Sequence, residues 1–226
     1  MTPVRALLID LDDTLYPQSQ FLEGAWDAVA EASARFGAPR EALAATLRAV
    51  AALGTAEGRI IDRSLIACGH GHIDATPLVA AFTQYRPTSL DPYEHVATTL
   101  GSLRQHHTLA LVTDGIPGQQ RAKLAALGLA EYFDIVVCSD DAGREFRKPH
   151  QRPFVTALQH LGVAPIHAVM IGDSPRKDVA GAHAVGMRSI RVRTGEYASI
   201  ADTATASIDR FCEVVEALAS ISGEEP

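Results

Sequence analysis

Val4-Arg5-Ala6-Leu7-Leu8-Ile9-Asp10-Leu11-Asp12-Asp13-Thr14 joins an aliphatic run to a cluster of carboxylates. Val4–Asp10 reads as a strand, rich in the aliphatic and β-branched side chains that suit extended backbone, and it ends abruptly in acid. Similar short apolar runs recur at Thr108–Thr113, Asp134–Cys138, Ala168–Gly172 and Met187–Val192. Helical patterns at about Pro117–Leu127, Arg152–Leu161 and Arg176–Val185 separate the last four. This alternation predicts an α/β fold, a doubly wound parallel sheet covered by helices on both faces. Strands buried on both faces should be continuously apolar, and these runs read that way. Ala206–Ile208 extends the sheet by a short strand, Asp209–Ala219 closes it with a helix, and Ser222–Pro226 reads as a frayed end.

Residues 16–89 break the alternation, with helical periodicity and no convincing strand. Leu22, Trp26, Val29, Ser33 and Phe36 recur at steps of three and four, and Gly37 is a stop. Pro39 opens a second helix carrying Leu43, Leu47 and Val50. Thr76-Pro77 pairs an N-cap with proline at the first helical position, and Asp91-Pro92 repeats that signal for a helix leading to Thr108. The expected organisation is a core of residues 1–15 and 90–226 with a helical insertion of 16–89.

Composition agrees with a folded protein. The 226 residues allow one large domain or two unequal ones, and 47% hydrophobic against 21% charged residues excludes disorder for most of the chain. No apolar run approaches a membrane span, the best being Ala6–Ile9 and Ile135–Cys138. A strand starting within four residues leaves no room for a signal peptide, so a cytoplasmic protein is expected. The net charge of −7 argues against a nucleic-acid polymer or an anionic membrane as partner. Cys68, Cys138 and Cys212 are odd in number and far apart, which argues for a reducing compartment rather than a disulfide framework.

In an open parallel sheet, ligands bind outside the carboxyl ends of the strands. Asp10 and Asp12 fall there, after the first strand. The second strand ends Thr113-Asp114-Gly115, placing a hydroxyl and backbone N–H groups at the same edge. Arg147-Lys148-Pro149 lies between the third strand and the next helix, and the fourth strand ends Gly172-Asp173-Ser174, with Asp178 five residues beyond Asp173. Each alone has an ordinary reading: an Asp-rich turn, an N-cap, a solvated lysine, a helix cap. Together, in order along one sheet edge, they describe a site for a hard divalent cation and a phosphate. Mg²⁺ takes oxygen ligands from one or two carboxylates, phosphate and water. The cation and Lys148 offset the repulsion between a phosphate dianion and an attacking carboxylate.

With these residues in view the chain resembles a haloacid dehalogenase superfamily hydrolase. All four motifs stand in order: Asp10-x-Asp12-x-Thr14, Thr113, Lys148, and Gly172-Asp173 with Asp178. The resemblance runs nearly end to end and implies a Rossmann-like core; 16–89 is similar to the helical cap of the first type. It implies that Asp10 attacks phosphorus to form an aspartyl-phosphate, and that Asp12 is the general acid and base, its carbonyl joining Asp10 and Asp173 around Mg²⁺. Thr113 and Lys148 would hold the phosphoryl group, with Asp114 in the same phosphate-binding loop although its charge is unfavourable there. Asp178 and Ser174 would support the metal from behind. Dehalogenating members carry a non-acidic residue at position 12, so aspartate favours phosphate chemistry and a small soluble phosphate ester. Leu15-Tyr16-Pro17 is similar to the pyrimidine 5′-nucleotidase branch, which suggests a nucleoside monophosphate; a sugar phosphate or phosphoglycolate-type substrate fits equally. Tyr16 and Gln18 are candidates to touch the leaving group.

Two rivals share the pattern: a phosphomutase on the same scaffold, and a non-enzymatic receiver-type domain phosphorylated on a strand-end aspartate. Receivers lack an insertion after the first acidic pair, which disfavours the second. His70-Gly71-His72 and His106-His107 lack the partners of a transition-metal site and read as loop and helix-surface residues. Trp26 reads as cap core, and Arg59 and Arg63 as solvated helix residues. Neither a dinucleotide glycine fingerprint nor a P-loop is present.

Overall fold

The structure is a computed structural model that describes residues 3–54 and 58–222. Its elements run β1 (Ala6–Ile9), α1 (Gln18–Ser33), α2 (Arg40–Ala52), α3 (Ile60–Ala67), α4 (Thr76–Gln84), α5 (Val96–Leu103) and β2 (Thr108–Thr113). They continue α6 (Pro117–Ala126), β3 (Ile135–Cys138), α7 (Gln151–Leu161), β4 (Ala168–Gly172), α8 (Ala180–Ala184), β5 (Arg188–Val192), β6 (Ala206–Ile208) and α9 (Val214–Ser222). The chain divides into two compact units, residues 1–18 with 89–226, and residues 19–88.

All six strands of the first unit pair in parallel, in the order β3-β2-β1-β4-β5-β6. Strand β1 is central, with Leu8 opposite Ala110 on one side and Met170 on the other. The chain winds outward to β3 on one side and to β6 on the other, so the order reverses between β1 and β4. That reversal opens a crevice at the carboxyl ends of β1, β2 and β4. Ala6, Leu8, Ala110, Val112, Ala168 and Met170 pack with Phe154, Ala157 and Leu158 of α7 and Ala182 of α8. The alternate positions Leu7, Ile9, Leu111, Val169 and Ile171 are equally buried, as a sheet covered on both faces requires.

Strand β5 departs from the expected apolar run. Its Arg191 is fully buried, and the guanidinium donates to the carbonyls of Asp173, Tyr197 and Ile200 and to the Asp202 carboxylate. Asp202 balances the charge and four of the five N–H donors find acceptors, which is what lets arginine be buried.

The second unit has its own core of Trp26 and Val29 (α1), Leu43 and Leu47 (α2), Ile61 and Leu65 (α3) and Leu78 (α4). Trp26 stacks on Phe82 with centroids 4.9 Å apart, the core role expected of it. Phe36 does not join this stripe: α1 ends at Ser33, a short 3₁₀ turn follows, and Phe36 is exposed. At α4 the capping falls to Asp74, whose carboxylate accepts from the Thr76 N–H and hydroxyl. Asp91-Pro92 starts no helix. The N–H groups of Leu90 and Tyr93 donate instead to the carbonyls of Ala126 and Leu15, and α5 begins only after His95. At the far end Ser222 belongs to α9, and the rest of the expected frayed end lies outside the described residues. Among the described residues no helix is long and apolar enough to cross a membrane.

Candidate active site

Asp10 follows β1, and its N–H still donates to the Ile171 carbonyl of β4, so the nucleophile candidate is anchored in the sheet. Thr113 ends β2, Asp173 follows Gly172 at the end of β4, and all three side chains are buried. Lys148 reaches them from the loop before α7. Its buried ammonium donates to Asp10 Oδ1 at 2.6 Å, Asp178 Oδ1 at 2.7 Å and the Val112 carbonyl at 3.0 Å. The loop is itself held: Arg147 grips Asp140 through two 2.6 Å hydrogen bonds, and the Lys148 N–H donates to Asp114 Oδ1. The Asp114 side chain therefore faces the lysine loop, and its Oδ2 has no hydrogen-bond partner among the described residues.

Asp10, Asp173 and Asp178 each offer a carboxylate oxygen within 4.8 Å of the others. Asp178 sits in the π-helical turn Pro175–Val179, and its Oδ2 accepts the Ser174 N–H at 3.0 Å. Three buried carboxylates around one ammonium leave a surplus of negative charge. Burial, opposed by Lys148 and reinforced by Asp178, raises the Asp10 carboxyl to about 7. Burial followed by Asp178 and Asp10 pushes Asp173 up to about 9. An all-oxygen donor set with unbalanced charge suits a hard divalent cation. Asp178 thus stands inside the carboxylate group, closer in than the supporting position expected of it. Among the described residues no histidine takes part in such a group.

Asp12 is turned to a different neighbourhood. Lys123 Nζ spans its two oxygens at 2.8 and 2.9 Å, Gln120 Nε2 donates to Oδ2 at 3.0 Å, and the Tyr16 hydroxyl donates to Oδ1. Burial acts to raise the Asp12 carboxyl, but Lys123 and these hydrogen bonds prevail and hold it below the usual carboxylate range. Tyr16 is wholly buried and committed to Asp12, so the expectation that it touches a leaving group is corrected. Gln18 donates its N–H to Asp13 Oδ1, and the Thr194 hydroxyl donates to the Asp13 carbonyl. Asp13 itself has φ 56°, a left-handed turn that aspartate tolerates better than most residues. The Thr14 hydroxyl is buried with no hydrogen-bond partner among the described residues.

Gln120, Lys123 and Arg191 escaped the sequence reading. A trace existed in α6, whose buried face is Gln119, Gln120, Lys123 and Leu124 where a covering helix would carry aliphatics. Lysine is almost never fully buried unless paired, so polar residues at core-facing positions call for a partner.

A strand-end aspartate set against a buried lysine on a parallel sheet is shared by one class of α/β hydrolases. The chain belongs to the haloacid dehalogenase-like hydrolases, whose family pattern matches residues 4–186. It is 37% identical over 205 residues to a glyceraldehyde 3-phosphate phosphatase of Methanopyrus kandleri, 86% of each chain. It is 37% identical over 163 residues to a phosphoserine phosphatase of Thermus thermophilus, covering 72% of this chain and 62% of that one. Among solved structures, a HAD phosphatase from Thermococcus onnurineus superposes with a TM-score of 0.66 at 27% identity, over 98% of this chain and 99% of that chain.

Proposed function

We propose that the chain is a Mg²⁺-dependent phosphomonoester hydrolase acting through an aspartyl-phosphate on Asp10. The observation that carries this reading is the Lys148 ammonium, which bridges Asp10 and Asp178 beside Asp173 while Asp12 stands apart on its own donors. An Asp10 oxygen attacks phosphorus as the ester P–O bond breaks, and the departing oxygen takes a proton from Asp12. Water then attacks the acyl phosphate, gives its proton to Asp12, and releases inorganic phosphate and the Asp10 carboxylate. The approaching phosphate dianion raises the proton affinity of Asp12 and so loads it for the first step. Thr113 and nearby N–H groups hold phosphoryl oxygens, Lys148 balances charge, and Asp114 contributes by holding the Lys148 loop. Asp10, Asp173 and the Asp12 carbonyl, with Asp178 and Ser174 beside them, would hold the Mg²⁺, which would supply positive charge against the phosphate.

A small phosphate ester is the substrate in this reading, a nucleoside monophosphate or a sugar or other organic phosphate. The glyceraldehyde 3-phosphate and phosphoserine phosphatases among its relatives support the organic phosphates. The helical unit serves as the cap that selects among them. The three cysteines are free, which suits a cytoplasmic setting. The test is release of inorganic phosphate from a panel of phosphomonoesters, with Mg²⁺ and with EDTA. Turnover is expected to need Mg²⁺ and to vanish in a folded Asp10→Asn variant. Full activity in EDTA overturns the metal, and full activity in Asp10→Asn overturns the nucleophile.

A further inference from the structure

Helix α6 buries a lysine and two glutamines, an expensive choice for an element whose task is only to cover a sheet. Two of these side chains end on the reacting groups. Gln120 and Lys123 lie three residues apart and so share one helix face. Lys123 Nζ holds both Asp12 oxygens, which fixes the plane of that carboxylate as well as its position. Gln120 Nε2 reaches Asp12 Oδ2 at 3.0 Å and Thr113 Oγ1 at 2.6 Å, linking the ends of β1 and β2.

The chemistry of these groups fixes the direction of each hydrogen bond. An ionised carboxylate only accepts, so Gln120 must turn its NH₂ group, with two hydrogens, toward Asp12. The second hydrogen meets Thr113 Oγ1, which therefore accepts. A hydroxyl that accepts keeps its own hydrogen for another partner, and among the described residues the Thr113 hydroxyl has no acceptor. Gln120 thus sets the polarity of Thr113 as a donor toward whatever anion occupies the crevice.

We propose that Gln120 and Lys123 are positioning residues: Lys123 orients Asp12 for proton transfer, and Gln120 orients the Thr113 hydroxyl to bind the phosphoryl group. This rests on the roles given above to Asp12 and Thr113, and it divides the work of α6 between proton transfer and phosphate binding. Lys123 acts on the two proton-transfer steps, and Gln120 acts also on phosphate affinity.

The experiment uses the full chain with Mg²⁺ and compares Lys123→Met, Gln120→Leu and Asp12→Asn. Burst and steady-state rates are measured on p-nitrophenyl phosphate and glycerol phosphate, with inhibition by inorganic phosphate alongside. Misplacing a reacting group by about 1 Å costs on the order of 100-fold. Lys123→Met should therefore lose about 10- to 100-fold more rate on glycerol phosphate, whose alkoxide needs a proton, than on p-nitrophenyl phosphate in the burst. Its inhibition by inorganic phosphate should stay within about 2-fold, because the phosphate donors remain. Gln120→Leu should weaken inhibition by phosphate about 5- to 20-fold, the loss of a hydrogen bond to a charged group. General loosening of the fold would lower both substrates alike and leave no such split. Equal losses on the two leaving groups in Lys123→Met, with Asp12→Asn discriminating between them, overturn the role of Lys123 alone. If Asp12→Asn itself does not discriminate, the reading of Asp12 has failed first. Should Lys123→Met not fold, Gln120→Leu decides, and unchanged phosphate inhibition there overturns the proposal.

Discussion

Asp173 is only 5% exposed, and it offers a carboxylate oxygen within 4.8 Å of oxygens of Asp10 and Asp178. Its proton affinity is raised first by burial and then by Asp178 and Asp10, from the ordinary 3.8 to about 9. An acid with a raised folded-state pKa stabilises the fold while protonated, and that contribution is lost as pH climbs through the folded value. In EDTA the protein is therefore expected to lose thermal stability as pH rises from roughly 4 to 9, with Asp10, raised to about 7, contributing in the same direction. Asp173→Asn should raise the melting temperature of the metal-free protein at pH 8 by about 2–6 °C while abolishing turnover. Calorimetry with and without Mg²⁺ checks both, and a variant that melts lower in EDTA would sink the charge argument. Asp10, Asp12, Thr113 and Asp173 could be singled out in the sequence because each stands at or just after a strand end, and Lys148 because it falls in the loop between β3 and α7. Gln120 and Lys123 were not. Periodicity can place them on the inner face of a helix, but where two long side chains end depends on packing that only the folded molecule supplies.

Gly172, the last residue of β4, shows how closely an element and the site are fitted. A Cβ there would lie 2.4 Å from the Asp178 carboxylate, well inside van der Waals contact. Gly172→Ala must displace Asp178 and with it one contact of Lys148. Turnover is expected to fall by about 100-fold or more and the Mg²⁺ requirement to rise, with the fold retained. Titrating activity against Mg²⁺ measures this, and an unchanged metal requirement would show that Asp178 is free to move. The strands themselves were largely readable from the sequence, since parallel strands buried on both faces leave long apolar runs. Element starts were read less well. Asp91-Pro92 looked like a helix start, but tertiary hydrogen bonds to Leu15 and Ala126 claimed the N–H groups of that segment. In β5, Arg191 is buried because four acceptors from one following loop and from Asp173 surround it, a gathering invisible in a string of residues.

At the scale of the molecule, the two compact units divide along the chain as binding problems also divide. In the proposed reading, site residues of the first unit address the phosphoryl group, which all phosphomonoesters share. Substitutions at exposed positions of the helical unit, 19–88, are therefore expected to change relative rates among esters by more than about 5-fold. Inhibition by inorganic phosphate should meanwhile stay within about 2-fold. A uniform change across all substrates would reduce the unit to a lid. The insertion showed in the sequence as an interruption of strand–helix rhythm, but the residues that discriminate within it did not, because specificity has no fixed spacing. The strand order carries one more consequence, for the growing chain on the ribosome. Strand β1 emerges first, yet its register partners in β4 lie about 160 positions later, Ala6 opposite Ala168. At roughly 5–20 residues per second, the apolar β1 waits roughly 8–32 s before that flank can pair. Its other partner also comes late, Ala6 opposite Thr108, so topology rather than composition sets how long this apolar surface stays unpaired.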